Sequence, residues 1–99
     1  MPQFTSEFTE EALESLTFLR KHEQVVVLDA IGLQLASEPV AETRNRKPLR
    51  PNELSQWELR VGHLRVFYNV DLQSAIVTVV AVGWKENNNY YICGKEFQL

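Results

Sequence analysis

Apolar residues near the start of the chain recur with the period of an α-helix. Phe8, Ala12, Leu16 and Leu19 lie at i, i+4, i+8 and i+11, so they share one helical face. Thr9 is a suitable N-cap, and the glutamates that follow it favour a helix N-terminus because their charge opposes the positive end of the helix dipole. The pattern predicts a first helix over this segment.

A second helix is predicted within 23–39, although part of this segment also suits a strand. The run Val25-Val26-Val27 favours a strand, because β-branched residues pack well on a pleated surface. Helical spacing of Val25, Leu28, Ile31 and Leu35 extends beyond the length of a typical strand, which favours the helix. Gly32 costs this helix about 1 kcal/mol, and Pro39 ends it because a proline disfavours helical geometry at the residue before it.

The second half of the chain changes to the period of a strand. Apolar and polar residues alternate over 56–61 and again over 64–70, on either side of Gly62-His63. A two-residue loop with glycine first suits a type II′ turn, which predicts a β-hairpin. Ala75–Val82 is apolar on both faces and predicts a central strand ended by Gly83, and the tail 84–99 predicts a turn around the asparagines and a short edge element.

These elements predict an α+β fold, in which two N-terminal helices pack on one face of a twisted antiparallel sheet. Residues 39–55 form a basic, proline-containing connection between the two halves. The helix-facing side of the hairpin is expected to carry Trp57, Leu59, Val61, Leu64, Val66 and Tyr68.

The composition is that of one ordinary globular domain spanning 1–99, with 44% hydrophobic and 23% charged residues. The single cysteine excludes an internal disulfide and Cys-rich metal centres, and His22 and His63 have no ligand-like spacing, so we expect no metal and no cofactor. The N-terminus lacks signal-peptide character, and the longest apolar stretch is too short to span a bilayer. We therefore expect a cytoplasmic protein that does not insert into membranes.

The net charge of −3 argues against a general nucleic-acid binder, but the charge is unevenly distributed. Residues 1–40 are strongly acidic, whereas 44–65 carry an excess of basic side chains over Glu53 and Glu58. The basic residues are Arg44, Arg46, Lys47, Arg50, Arg60 and Arg65. This patch indicates either a solvated loop with strand-surface charges or a binding surface for phosphate.

The predicted hairpin register places Arg60 opposite Arg65, on the side away from the helices. Like charges directly across a strand pair are destabilising, so something must neutralise them. One possibility is Glu58, which lies on the same face and could form a Glu–Arg cluster. The other is an anion such as a phosphate, held between the two guanidinium groups.

The stretch 59–70, LRVGHLRVFYNV, followed by Val82-Gly83-Trp84-Lys85, resembles the signature of the RelE/ParE superfamily of bacterial type II toxins. In that signature an "lRvGdyRvvY" hairpin precedes a strand ending in "vghR" and then a tyrosine. The resemblance implies the fold described above, a protein that arrests growth when unneutralised, and a cognate antitoxin as partner. The superfamily includes RelE-type members, which are metal-independent ribonucleases that cut mRNA on the ribosome, and ParE-type members, which poison DNA gyrase.

The resemblance to the ribonuclease branch implies roles for individual residues. Arg65 occupies the place of the phosphate-stabilising arginine, Lys85 that of the basic residue after the third strand, and Tyr91 that of the tyrosine. The lysine pair of RelE falls on Gln56 and Glu58, so Glu58 or His63 is the candidate base. The expected RNA or phosphate contacts are Arg60, Lys47, Arg50 and Arg46.

Metal-free RNA cleavage needs a base for the 2′-OH, cations for the charge that builds on the phosphate, and an acid for the leaving oxygen. Arg65, Arg60 and Lys85 could supply the cations. The function expected from the resemblance is an mRNA endoribonuclease that inhibits translation. The alternative, indicated by the missing lysine pair and the acidic pI of about 5.3, is a ParE-like gyrase inhibitor or a non-catalytic antitoxin-binding relative.

Overall fold

The computed structural model describes residues 3–99, over which the chain forms two helices and one seven-stranded sheet. The elements in chain order are β1 (Thr5–Phe8), α1 (Glu10–Leu16), α2 (Lys21–Gln34), β2 (Arg46–Pro48), β3 (Trp57–Val61), β4 (Leu64–Asp71), β5 (Ile76–Glu86), β6 (Asn89–Ile92) and β7 (Lys95–Phe97). The sheet order is β2-β3-β4-β5-β6-β7, with antiparallel neighbours, and β1 pairs in parallel with the first part of β5. This architecture confirms the predicted α+β class.

The core lies between the helices and one face of the sheet. Buried residues from both helices pack against the inward side chains of β3, β4 and β5. The central cluster consists of Ala12, Leu19, Val27, Ile31, Leu35, Leu59, Leu64, Val66, Tyr68, Val77, Val79 and Val82. No helix within residues 3–99 combines the length and the apolar composition needed to cross a membrane.

Helix α1 is shorter than its apolar pattern predicts, because the chain first forms a strand. Phe8 pairs with Val79 in β1, and Thr9 then caps the helix by accepting a hydrogen bond from the backbone N–H of Ala12 at 3.0 Å. Phe8 and Leu19 lie outside the helix but still pack on or within the core. The capping prediction is confirmed, and the helix boundaries are corrected.

One buried hydroxyl fixes α1 to the sheet. Ser15 is 1% exposed, and its Oγ donates to the carbonyl of Ala12 at 2.8 Å while accepting from the backbone N–H of Val82 at 2.9 Å. Ser15→Ala would leave that buried N–H without a partner, so we expect the free energy of unfolding to fall by about 2 kcal/mol. Urea denaturation measures this change.

Thr17→Ala is the matched control for the Ser15 variant. The Thr17 hydroxyl donates to the carbonyl of Glu14 at 2.6 Å, in the same i to i−3 arrangement, but at an exposed position. We expect Thr17→Ala to change stability by less than about 0.5 kcal/mol. Equal effects of the two variants would contradict a special role for Ser15 in joining α1 to β5.

Helix α2 runs over Lys21–Gln34 and ends before the predicted stop at Pro39. Its N-terminus is held by Glu23, whose side chain accepts a hydrogen bond from the backbone N–H of Arg20 at 3.0 Å. Beyond its C-terminus, the buried Tyr68 hydroxyl donates to the Pro39 carbonyl at 2.6 Å. Burial raises the pKa of Tyr68, so its hydroxyl remains a donor.

The β3–β4 hairpin has the predicted register. Val61 lies opposite Leu64 and Arg60 opposite Arg65. Gly62 takes a φ of +62°, as the first loop position of a type II′ turn requires. The helix-facing set of six residues is also confirmed, since all its members are in the core cluster or pack against it.

The last part of the chain departs from the sequence prediction. Gly83 does not end the third predicted strand, because β5 continues to Glu86 and pairs with β6. Asn87 and Asn88 both have positive φ, as a two-residue type I′ turn requires, so the asparagine run makes a hairpin. The tail therefore adds two paired strands where a turn and a single edge element were expected.

Candidate functional site

The sheet face away from the helices carries the candidate chemistry, and we call it the opposite face. Side chains at paired positions of neighbouring strands line up across this face and form three rows. The middle row holds Arg60, Arg65, Gly83, Ile92 and Lys95; beside it, one row holds Lys47, Glu58, Phe67 and Ala81, and the other holds Lys85, Tyr90 and Phe97.

Glu58 occupies the space between the two facing arginines. Its Oε2 lies 3.0 Å from Nε of Arg60 and 3.8 Å from Nε of Arg65. The Glu58 side chain is only 1% exposed, whereas that of Arg60 is 41% exposed. An internal carboxylate therefore neutralises the like-charged pair, which is the first of the two explanations that the sequence left open.

Arg65 is held largely by its own hairpin. One terminal guanidinium nitrogen donates to the carbonyls of Gly62 at 2.7 Å and Leu64 at 2.9 Å. The residue is 9% exposed. Two polar side-chain atoms are buried without a hydrogen-bond partner within residues 3–99, namely Nε of Arg65 and Oε1 of Glu58. The hydrogen-bonding capacity of the Arg65–Glu58 ion pair is therefore only partly used.

Tyr90 covers this part of the opposite face. Its ring packs edge-on against Phe67, with the centroids 5.8 Å apart, and Nζ of Lys85 lies 5.3 Å from its centroid. Burial, followed by the neighbouring Glu58 carboxylate, raises the pKa of Tyr90, so the phenol is neutral at physiological pH.

Tyr91, the predicted site tyrosine, lies on the helix side of the sheet. It pairs with Trp84 in register and stacks on it, with the ring centroids 5.8 Å apart. Since adjacent strand residues point to opposite faces, only one of the two tyrosines could join Arg65 and Lys85, and the structure brings Tyr90 there. The sequence predicted no strand register for the tail, so it gave no means of choosing Tyr90 over Tyr91.

The remaining predicted cations are dispersed. Lys47 is on the opposite face, beside Glu58, and its Nζ lies 3.8 Å from Glu42. Arg46 is on the helix side, 8% exposed, where its guanidinium donates to the carbonyls of Gln34 at 2.7 Å and Ala41 at 2.9 Å. Arg46 therefore holds the end of α2 and is not available as a surface phosphate contact. Arg50 is exposed and shares a groove with Tyr90.

His63 lies in the hairpin turn, directed toward the helices. Its Nε2 is 3.2 Å from Oε2 of Glu23, and its side chain is 61% exposed. It lines a cleft with Phe18, Arg20 and Trp84, apart from the arginine pair. The second candidate base is therefore not brought together with Arg65.

Chemically, the opposite face offers accessible cations and an aromatic surface. Arg60, Lys85 and Arg50 can meet anionic groups, and Tyr90 can pack against an apolar or aromatic group. The carboxylate of Glu58 is enclosed by the two arginines and its side chain is 1% exposed, which keeps a substrate hydroxyl from reaching it. This arrangement suits binding better than acid–base catalysis.

A family model described as the ParE toxin of the parDE type II toxin–antitoxin system matches residues 7–88. Among curated proteins, none matches the sequence at a significant level.

Two solved structures are similar to this chain. One is a chain in the crystal structure of the toxin–antitoxin complex RelBE2 from Mycobacterium tuberculosis, with a TM-score of 0.73 and 26% identity, covering 84% of this chain and 99% of that one. The other is a chain in the archaeal RelE–RelB complex from Pyrococcus horikoshii OT3, with a TM-score of 0.59 and 15% identity, covering 81% of this chain and 92% of that one. The second likeness is one of fold.

Proposed function

Since the chain belongs to the ParE toxin family of type II toxin–antitoxin systems, within the RelE/ParE superfamily, we propose that it arrests bacterial growth by binding DNA gyrase. In this proposal the toxin acts through a protein surface and cuts no RNA. A cognate antitoxin neutralises it, as the similarity to chains of two toxin–antitoxin complexes supports.

The observation that carries the proposal is the position of Glu58. A ribonuclease site in this hairpin needs the space between Arg60 and Arg65 for a phosphate, and the Glu58 carboxylate fills that space, 3.0 Å from Nε of Arg60. Two further groups that RNA cleavage would use lie elsewhere, since Tyr91 stacks on Trp84 and His63 pairs with Glu23. The face thus retains its positive charge without an accessible base.

A second candidate function, an mRNA endoribonuclease, is favoured by one specific observation. Arg60, Lys85 and Tyr90 are all partly accessible on the same face, and they are the residue types that hold a phosphate and stack on a base. The 26% identity with a chain of the RelBE2 complex agrees with either branch of the superfamily.

The decisive experiment is induced expression of the chain in bacteria without an antitoxin. We expect growth arrest within minutes, with DNA covalently trapped on gyrase and no new 5′ ends in mRNA. Purified protein should also inhibit supercoiling by purified gyrase. These results would establish a protein target.

Arg60→Ala and Lys85→Ala test the second candidate, with the exposed Arg44→Ala as a matched control. New mRNA 5′ ends that disappear in the first two variants and persist in the control would identify the ribonuclease and overturn the gyrase proposal. Absence of growth arrest in a host with susceptible gyrase would contradict both.

A further inference from the structure

A groove crosses the opposite face where the connection after β2 approaches β6. It is lined by Leu49, Arg50, Pro51, Asn52, Tyr90 and Leu99. The side chains of leucine, proline and tyrosine give it apolar walls, while Arg50 is exposed at its edge. Such a groove suits an extended segment that buries an apolar side chain beside a charged one.

Most of the charged side chains around this groove are basic, and Glu96 lines a neighbouring hollow that shares Tyr90 and Leu99 with it. Lys85 lies against the Tyr90 ring, Lys95 is exposed on β7, and Arg60 is 41% exposed in the adjoining row. Glu58 is 1% exposed and already paired with Arg60, so it presents almost no negative charge outward. Glu53 lines the adjoining hollow, which shares Arg50 with the groove. The rim of the groove therefore carries more positive than negative charge, and its walls are apolar.

Resting on the proposed function, we propose that this groove binds an acidic peptide segment of the toxin's protein target, with one apolar or aromatic side chain of that segment packed against Tyr90. Complementary charge at the rim would steer the segment, and burial of the apolar anchor would supply most of the affinity.

The overall charge of the protein favours a short peptide over a nucleic acid. The net charge is −3, with acidic side chains concentrated in residues 1–40, so a long polyanion would also meet the repulsive helical half. A short segment senses charges only within about 8 Å at physiological salt. It can therefore respond to the local positive rim.

The first test compares two doubly charge-reversed full-length proteins. Arg50→Glu/Lys95→Glu reverses two exposed cations of the groove face, and Lys21→Glu/Arg44→Glu makes the same change in net charge elsewhere. With purified gyrase as the probe, we expect the groove variant to bind at least about tenfold more weakly and the control to match wild type. Thermal unfolding of both variants verifies that they fold.

The second test does not depend on gyrase. A labelled Glu/Tyr copolymer peptide is titrated into wild type and both variants at low and high salt, with duplex DNA as a competitor. We expect wild type and control to bind the peptide, and the groove variant or high salt to weaken binding by about tenfold.

The two experiments have separable outcomes. Peptide binding at the groove without gyrase binding would contradict the proposed function and leave the groove assignment standing. Gyrase binding that is equal in wild type and the groove variant, or no effect of the groove variant on the peptide, would overturn the assignment. Displacement of the peptide by equimolar DNA would overturn it in favour of a nucleic-acid surface.

Discussion

Glu58→Gln is expected to lower the free energy of unfolding by about 3 kcal/mol, because it leaves the buried Arg65 guanidinium without a counter-charge. The glutamate side chain is 1% exposed and that of Arg65 is 11% exposed, so water cannot replace the lost carboxylate. Arg60 adds less, since its side chain is 41% exposed and can turn to solvent. Urea denaturation of wild type and variant measures the change.

Glu42→Gln is the matched control for this substitution. Glu42 is 60% exposed and lies 3.8 Å from Lys47, so we expect a change of less than about 1 kcal/mol. The double variant Glu58→Gln/Arg65→Met then isolates the pair. If the carboxylate serves mainly to neutralise Arg65, the two substitutions should not be additive. The free energy of unfolding of the double variant should then fall by at least about 1 kcal/mol less than the sum of the decreases in the two single variants. Additive losses, or a Glu58 variant as stable as wild type, would contradict this role.

The hairpin could be predicted because several independent signals agree on it. Period-two alternation on both sides of Gly62-His63 fixes which residues face the core, and the glycine specifies the turn. The opposition of Arg60 and Arg65 follows from that register alone. Neutralisation by Glu58 was foreseen as one of two possibilities, because residues two apart on a strand share a face.

Short strands could not be predicted in the same way. Strands β1 and β2 have 4 and 3 residues, too few for a period to show. Their pairing is decided by partners far along the chain, since β1 lies against the start of β5 and β2 against β3. Phe8, which continues a helical pattern in the sequence, therefore belongs to a strand in the fold.

The sequence could not show which candidate site residues share a face where the strand register was unknown. Choosing Tyr90 over Tyr91 requires knowing that Lys85 lies opposite Tyr90, which depends on the asparagine turn. In the sequence Arg46 belongs to a basic patch. In the fold its side chain points to the helix side of β2, whereas that of the neighbouring Lys47 points to the opposite face. Composition predicts a basic patch, and only strand pairing tells which of its side chains share a face.

Gly83→Ala is expected to lower the free energy of unfolding by about 3 kcal/mol and to loosen β6 and β7 from the sheet. A methyl group at position 83 would clash with the backbone carbonyl oxygen of Tyr91 and would lie 3.2 Å from Cγ1 of Ile92. The first contact is with backbone, so the strand itself must move. Faster amide hydrogen exchange in residues 89–97 would show that β6 and β7 are loosened. Urea denaturation would measure the decrease in the free energy of unfolding.

Gly32→Ala provides the control, because the added methyl group has open space around it at position 32 and is crowded at position 83. Gly32 is in the interior of α2, with no heavy atom within 4 Å of the added methyl group, so alanine should stabilise the protein by about 0.5 to 1 kcal/mol. Since β6 carries Tyr90, Gly83→Ala should also weaken gyrase binding, whereas Gly32→Ala should leave it unchanged. A Gly83→Ala protein with wild-type stability and unchanged hydrogen exchange would show that β6 does not lie this close to β5, and would remove the structural basis for placing Tyr90 over the Glu58–Arg65 pair.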